Sequence, residues 1–323
     1  MRRLFVTVAA VVLVLSTCSV GAATPQPSAA ARVVATAQLS PTRTAVFIDS
    51  PSMQRVVQIQ ILHPSNSAPR PTFYLLDGVD SATDESNWTK KTDAESFFAR
   101  KNVNVVLPVG GVGSYYTDWA RPDPVLGVNM WETFLTSELP PLIDGQFGGN
   151  GTNAVGGLSM GGQAALILAT RHPDLYTATA AFSTCPDSGS MTGKQLVRVT
   201  VASQRGDATN MWGPDNDPAW LAHDTFTNAE QLRGKTLYIS VGSGVLGPYD
   251  FQSGSDFATL MSRGAPLELG SLTCTRDFQE RLDSLGIPAQ FVYRPIGTHS
   301  WPYWQDDLHD AWPTIAGALR TAG

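Results

Sequence analysis

Charge is scarce in this sequence. Asp, Glu, Lys and Arg make up only 15% of its 323 residues, and the formal net charge is −6. No basic stripe is available to neutralise phosphates, which excludes nucleic acid as a partner. Internal repeats are missing, and no compositional break marks off a second domain. There are three cysteines. No apolar run is long enough to cross a bilayer comfortably; Leu4–Leu15 falls short of the roughly 20 residues a spanning helix needs. What remains is 42% hydrophobic, the composition of a globular chain.

The short apolar run has Arg2 and Arg3 before it, and small residues and a Pro/Ser/Ala stretch after it. That is the pattern of a secretory leader. The reading is a signal peptide over residues 1–23, a flexible linker over 24–35 and one domain over 36–323. Cys18, in a Leu15-Ser16-Thr17-Cys18 stretch that loosely resembles a lipoprotein box, leaves with the leader or is lipidated. Cys185 and Cys274 are then an even pair in an exported protein, where thiols are oxidised, and a disulfide between them is expected.

Short apolar segments alternate with helical patterns along the chain. Strands are expected at Arg55–Leu62, Thr72–Leu76, Val103–Leu107, Thr177–Phe182, Thr236–Val241 and Gln290–Tyr293. Helices are expected at Asp93–Lys101, at Trp131–Ile143 with a break at Pro140-Pro141, at Leu272–Leu285 and at Asp306–Leu319. Asp187–Ala222 has weak periodicity and reads as an excursion above the sheet. The alternation implies an α/β fold of the α/β-hydrolase type, with a mostly parallel central sheet and helices on both faces.

Within that frame, Gly157-Leu158-Ser159-Met160-Gly161 matches G-x-S-x-G between a buried strand and a helix. This context makes Ser159 a candidate nucleophile on a sharp turn, beside the free N–H groups of a helix N-terminus. Its base should follow a late strand. Of His63, His172, His223, His299 and His309, only His299 does so, in Gly297-Thr298-His299-Ser300-Trp301. Asp250, Asp256 and Glu268 all remain open as the acid that orients the imidazole. The N–H groups of Met160 and Val79, the latter in the loop after Leu76-Asp77-Gly78, are the candidate oxyanion donors. Trp212, Trp301 and Trp304 form a tryptophan-rich set that could stack on sugar rings or belong to the core. No cofactor and no metal is expected.

Taken together, Leu75-Leu76-Asp77-Gly78, Leu107-Pro108-Val109-Gly110-Gly111, Tyr116-Thr117-Asp118-Trp119, Met130–Pro140 (MWETFLTSELP), Met211-Trp212-Gly213-Pro214 and Gly297–Trp301 resemble the secreted mycolyltransferases, the antigen 85 and corynebacterial-type proteins among the esterase-D-like α/β-hydrolases. The resemblance implies serine esterase chemistry, moving a mycolyl group from trehalose monomycolate to trehalose or cell-wall arabinogalactan. Water as acceptor, making a secreted carboxylesterase, is the alternative. Carried over by position, the triad is Ser159, Glu268 and His299, the oxyanion hole is Val79 and Met160, and Asp77 and Trp301 fall where the family contacts the sugar. The implied partners are glycolipid and cell-wall carbohydrate, with peripheral contact to the cell envelope. The family often carries arginine where Asp80 stands. Its antigen 85 cysteine pair is missing from Pro122–Asn129, and Cys185 with Cys274 resembles the corynebacterial-type pair instead.

Overall fold

The structure is a computed structural model and describes residues 30–64, 68–252 and 256–321. The expected leader, and residues 24–29 of the expected linker, lie outside them.

Among the described residues nine strands form one sheet in the order β1-β2-β3-β5-β4-β6-β7-β8-β9. They are β1 (Arg32–Ser40), β2 (Arg43–Ser50), β3 (Arg55–Leu62), β4 (Arg70–Leu76), β5 (Asn104–Pro108), β6 (Gly149–Leu158), β7 (Ala178–Phe182), β8 (Thr236–Val241) and β9 (Gln290–Tyr293). From β5 through β9 every pairing is parallel, whereas β1, β2 and β3 run antiparallel to their neighbours. The fold is the mostly parallel α/β-hydrolase type.

The linker boundary needs correction. Residues 32–35 are not linker but the start of β1, where Arg32 pairs with Asp49 across the ladder at 2.7 Å. The strand is exposed almost throughout, so its residues carry none of the buried alternation that marks a strand in sequence.

Both faces of the sheet are covered, as the alternation along β4 illustrates. Tyr74 and Leu76 pack into the core beneath the helix Met160–Arg171. Phe73 and Leu75 pack into the opposite core, against Trp88, Phe98 and the helix Trp301–Leu319. Because the central strands are buried on both faces, β4, β5 and β7 read as unbroken buried runs.

The prolines at 140 and 141 do not break their helix. A widened π turn at Phe134–Glu138 precedes Leu139–Gln146, and a second, at Leu260–Gly264, precedes Ala265–Leu285, which has Pro266 in its first turn. A proline lacks the amide hydrogen and crowds the carbonyl one turn back, and a π turn relieves that crowding without ending the helix. The run Met130–Pro140 is thereby a structural tie. Glu132 is buried and accepts from Arg171 Nε and His172 Nε2, both at 2.7 Å, while His223 Nε2 stands 3.6 Å away. Glu138 accepts from the Ser50 hydroxyl at 2.5 Å and the Ser52 N–H at 2.9 Å.

The Asp187–Ala222 excursion contains a 13-residue helix, Met191–Ser203, that its periodicity does not announce. The helix buries only Gly193, Val197 and Val201, and it leaves Met191 and Val199 exposed. Cys185 and Cys274 are bonded, tying the start of this excursion to the helix Ala265–Leu285. The bridge closes a sequence separation of 89. Chain entropy for such a loop is worth on the order of 4 kcal/mol. Cys274→Ser is expected to lower the unfolding free energy by roughly 2–5 kcal/mol, read from the urea midpoint. An unchanged midpoint would mean that the bridge constrains little.

Candidate active site

Ser159 sits between β6 and the helix Met160–Arg171 with φ +52° and ψ −122°, a conformation an L residue adopts only under constraint. The flanking glycines make the turn possible. A Cβ on Gly157 would lie 2.6 Å from the Gly161 carbonyl carbon, and one on Gly161 would lie 2.3 Å from the Asp77 carbonyl oxygen. Hydrogen bonds from Ser159 N–H to Phe182 O (2.8 Å) and from Gln163 N–H to Ser159 O (3.1 Å) pin the strained residue.

From this turn a hydrogen-bonded line runs across the ends of the parallel strands. Ser159 Oγ is 2.9 Å from His299 Nε2, and His299 Nδ1 is 2.8 Å from Glu268 Oε2. Facing a carboxylate, Nδ1 carries the hydrogen and donates it, leaving Nε2 to accept from the serine hydroxyl. The three expected residues, 109 and 31 positions apart in sequence, are thus joined. Asp250 and Asp256 are elsewhere. Asp256 is exposed and caps the Phe257–Thr259 turn. Asp250 is buried, accepting from Thr298 Oγ1 at 2.6 Å and from the Tyr303 hydroxyl at 2.7 Å, so it holds the residue preceding His299 rather than His299 itself.

Glu268 has a second set of partners that the sequence did not single out. Its Oε1 accepts from Ser183 Oγ at 2.7 Å and from the Gly242 N–H at 2.5 Å. Ser183 in turn accepts from Trp304 Nε1 at 2.9 Å, and the Trp304 ring stands edge-on to His299 with centroids 4.9 Å apart. With these donors a carboxylate that is 1% exposed is fully bonded, as a buried charge must be. Ser183 and Gly242 each follow the last residue of a parallel strand, the rim where open α/β sheets build sites. That position was the available signal.

On the other side of Ser159 lies the loop after β4. Val79 is partly buried, and among the described residues its N–H has no hydrogen-bond partner. Met160 opens the helix, where N–H groups have no intrahelical acceptor. Gly78 of the same loop lies against the nucleophile, a Cβ there falling 3.9 Å from Ser159 Cβ and 3.9 Å from Asp80 Oδ1. The Asp80 carboxylate meets Lys91 Nζ at 3.3 Å, and that ammonium lies 5.1 Å from the centre of the partly exposed Trp301 ring.

Three of the residues considered for sugar contact do not reach this mouth. Trp212 is buried: its ring stacks on His223 at 4.8 Å, meets Trp220 edge-on, and its Nε1 donates to Thr117 Oγ1 at 3.5 Å. It forms the small aromatic core of the excursion. Trp304 is also buried, behind His299. Asp77 is buried too, its carboxylate turned toward Ser86 Oγ (3.2 Å), the Asn87 N–H (3.1 Å) and Ser81 Oγ (3.4 Å). It braces the Val79 loop from within. Only Trp301 of the expected sugar contacts is partly open.

Burial pushes the Asp77 carboxyl up to about 7, against the Asn87 N–H and Ser86 hydroxyl, which pull it down. A folded pKa above the unfolded value means that this group's contribution is fully present below about pH 4 and lost as pH rises through 7. Relative to Asp77→Asn, the wild type is therefore expected to lose a few kcal/mol of stability between pH 4 and pH 8. Urea midpoints of the two proteins across that range check this. Parallel curves would contradict it.

Residues 50–315 match the family described as "Putative esterase". The Ag85B diacylglycerol acyltransferase/mycolyltransferase of Mycobacterium leprae is 32% identical over 324 residues, spanning 93% of either chain. Ag85A of Mycobacterium tuberculosis, described by the same activity, is 34% identical over 278 residues, covering 84% of this chain and 80% of its own. The chain belongs to this esterase family. It is accordingly an enzyme of the acyltransferase/esterase class. Among solved structures, the esterase-family fold is shared with MPT51 (FbpC1) of Mycobacterium tuberculosis. That match has a TM-score of 0.72 and 27% identity, over 84% of this chain and 96% of that one. An S-formylglutathione hydrolase from Agrobacterium tumefaciens superposes with a TM-score of 0.66 at 17% identity, over 89% and 99%, a likeness of fold alone.

Proposed function

We propose that this enzyme is exported to the cell envelope and moves a mycolyl group from trehalose monomycolate to trehalose or to cell-wall arabinogalactan. The reading rests on one observation above the others, the continuous hydrogen-bonded line from Ser159 through His299 to Glu268. It draws further support from relatives whose names describe acyl and mycolyl transfer.

In this mechanism Ser159 Oγ attacks the ester carbonyl carbon as its proton passes to His299 Nε2. Glu268 stabilises the imidazolium that results. The N–H groups of Val79 and Met160 hold the oxyanion of the tetrahedral intermediate. Collapse breaks the bond to the departing sugar oxygen, which takes the proton from Nε2 and leaves the acyl group on Ser159. An acceptor hydroxyl then gives its proton to the same nitrogen and attacks the acyl carbonyl. The second tetrahedral intermediate expels Ser159, which recovers the proton.

Transfer requires that a sugar hydroxyl outcompete water at the second step. Incubating the enzyme with trehalose monomycolate, with and without added trehalose, and resolving the products tests this. With labelled trehalose, label passing into trehalose monomycolate at the expense of free acid is the expected result. A product distribution blind to trehalose would leave the enzyme a hydrolase.

A further inference from the structure

The two N–H groups assigned to the oxyanion are held in different ways. Met160 is fixed by its helix, whereas Val79 lies in a loop and needs other support. Ser81 N–H donates to Gly78 O at 3.3 Å, closing a turn over residues 78–81. Across a trans peptide the C=O and N–H point opposite ways, so tying the Gly78 carbonyl into the turn leaves the Val79 N–H pointing out of it. The turn sets that direction but not its own place relative to Ser159. That task falls to residues 110–116.

Backbone bonds join this segment to the turn. Gly110 N–H donates to Ala82 O at 3.0 Å, and Gly113 N–H donates to Val79 O at 3.1 Å. A side chain adds to them, for the Asp77 N–H donates to the Tyr116 hydroxyl at 3.2 Å. Burial pushes the pKa of that hydroxyl far above its usual range, so it stays neutral, and Ser81 bonds it as well. The Tyr116 ring is buried, edge-on to Trp131 with centroids 5.5 Å apart. Its neighbour Tyr115 donates its N–H to Met160 Sδ at 3.4 Å, so the segment meets both donor residues.

The segment holds this position under strain. Tyr115 and Tyr116 have φ +54° and +47°, a left-handed pair that bulky residues rarely adopt. Gly111 must lack a side chain, since a Cβ there would lie 2.4 Å from the Tyr116 ring. The Tyr116 N–H donates to Ser114 Oγ at 3.1 Å, and Trp119 Nε1 donates to Ser114 O at 3.0 Å, which keeps the strained pair in place. Strain of this kind persists only where the surroundings over-determine it, and it collects beside active sites. A phenylalanine ring would pack as well. What the hydroxyl adds is the bond to the Asp77 N–H, at the root of the oxyanion loop.

We propose that Tyr116 is a positioning residue for the oxyanion hole. Its hydroxyl anchors the Asp77 N–H and thereby fixes how far the Val79 N–H stands from the carbonyl oxygen of the ester attacked by Ser159. The inference rests on the serine-esterase chemistry proposed above, and it holds whether sugar or water is the acceptor. An oxyanion donor is effective only within about 2.7–3.1 Å of the place that oxygen reaches in the tetrahedral intermediate. Without the anchor, the Asp77 N–H is buried with no acceptor, and the loop shifts to find one, carrying the Val79 N–H with it. The uncharged carbonyl of the bound ester needs that donor less than the oxyanion does. The loss therefore falls on kcat rather than on KM.

The test is Tyr116→Phe, which removes the oxygen and keeps the ring. With a water-soluble p-nitrophenyl ester, kcat is expected to fall about 10- to 100-fold while KM stays within about twofold. That is short of the roughly 10²–10³-fold cost of losing a donor outright. A trifluoromethyl ketone forms an adduct with Ser159 that carries an oxyanion. Its affinity is expected to fall by the same factor as kcat/KM, which a merely structural role would not produce. Tyr176→Phe makes the same deletion at a buried tyrosine just before β7, at the end of the sheet opposite the rim, and is expected to change neither. Circular dichroism verifies that each variant is folded. Gly111→Ala keeps the hydroxyl but displaces the ring, and it is expected to repeat the loss in kcat, giving a second reading should Tyr116→Phe not fold. Turnover by folded Tyr116→Phe within about threefold of the wild type, or a lower kcat with unchanged ketone affinity, overturns the proposal. An active Ser159→Ala enzyme, or a wild type that the ketone does not inhibit, would instead overturn the serine-esterase reading itself.

Discussion

Ser159→Ala is expected to lower ester turnover by roughly 10⁴–10⁶-fold while leaving the fold and its melting temperature close to those of the wild type. The hydroxyl is the only group of the protein that forms a bond to carbon in the proposed mechanism. An alanine keeps the backbone turn, whose strain is held by Phe182 O and the Gln163 N–H rather than by the side chain. What survives is whatever the N–H groups of Val79 and Met160 and simple positioning provide for attack by water. Hydrolysis of a p-nitrophenyl ester reads the rate, and loss of fluorophosphonate labelling reads the missing nucleophile. Residual activity within tenfold of the wild type would exclude Ser159 from the chemistry.

The second large effect belongs to Glu268→Gln, expected to cost on the order of 10³–10⁴-fold in kcat with little change in KM. The argument is one of donors and acceptors. Glu268 Oε1 accepts from Ser183 and Gly242, and Oε2 accepts from His299. A glutamine has one acceptor oxygen for these two sides. If its oxygen stays with the Gly242 N–H, its NH₂ faces Nδ1 and selects the imidazole tautomer with hydrogen on Nε2. That tautomer cannot take the Ser159 proton. If the amide turns round, its NH₂ is forced against the Gly242 N–H, leaving a buried donor unsatisfied. Either outcome damages the base without removing the nucleophile. Fluorophosphonate labelling is therefore expected to persist at a much reduced rate. A Glu268→Gln enzyme with turnover within tenfold of the wild type would place the acid elsewhere.

How much of this could be read from the sequence depends on which physical signal each feature leaves. The central strands were legible because burial on both faces makes them apolar runs. The exposed β1 is not, because it carries no buried alternation. Ser159 was legible because its turn demands glycine on both sides, and His299 because only one histidine follows a late strand. Glu268 could not be separated from Asp250 and Asp256 by chemistry alone, since each is a carboxylate beyond β8. The resemblance pointed to Glu268, and the geometry joins Glu268 to the histidine. Its partners Ser183 and Gly242 were invisible, being a small polar residue and a glycine whose importance lies in tertiary position. For Trp212 the sequence leaves sugar stacking and core both open, because an indole tells nothing of which way it faces: in the excursion it turns inward onto His223 and Trp220. Nor does the sequence tell that the Asp77 carboxylate turns inward, toward the Ser86 hydroxyl and the Asn87 N–H. The most distinctive run, Met130–Pro140, turned out to be structural, for Glu132 gathers Arg171 and His172 beneath the excursion.

The measurement that bears most directly on the central claim is intact-protein mass spectrometry of the enzyme mixed rapidly with an acyl donor. An adduct of the acyl mass, localised to the peptide bearing Ser159 and discharged faster as trehalose is added, is the predicted result. Turnover with no acylated Ser159 peptide, or an adduct whose decay ignores trehalose, would contradict it.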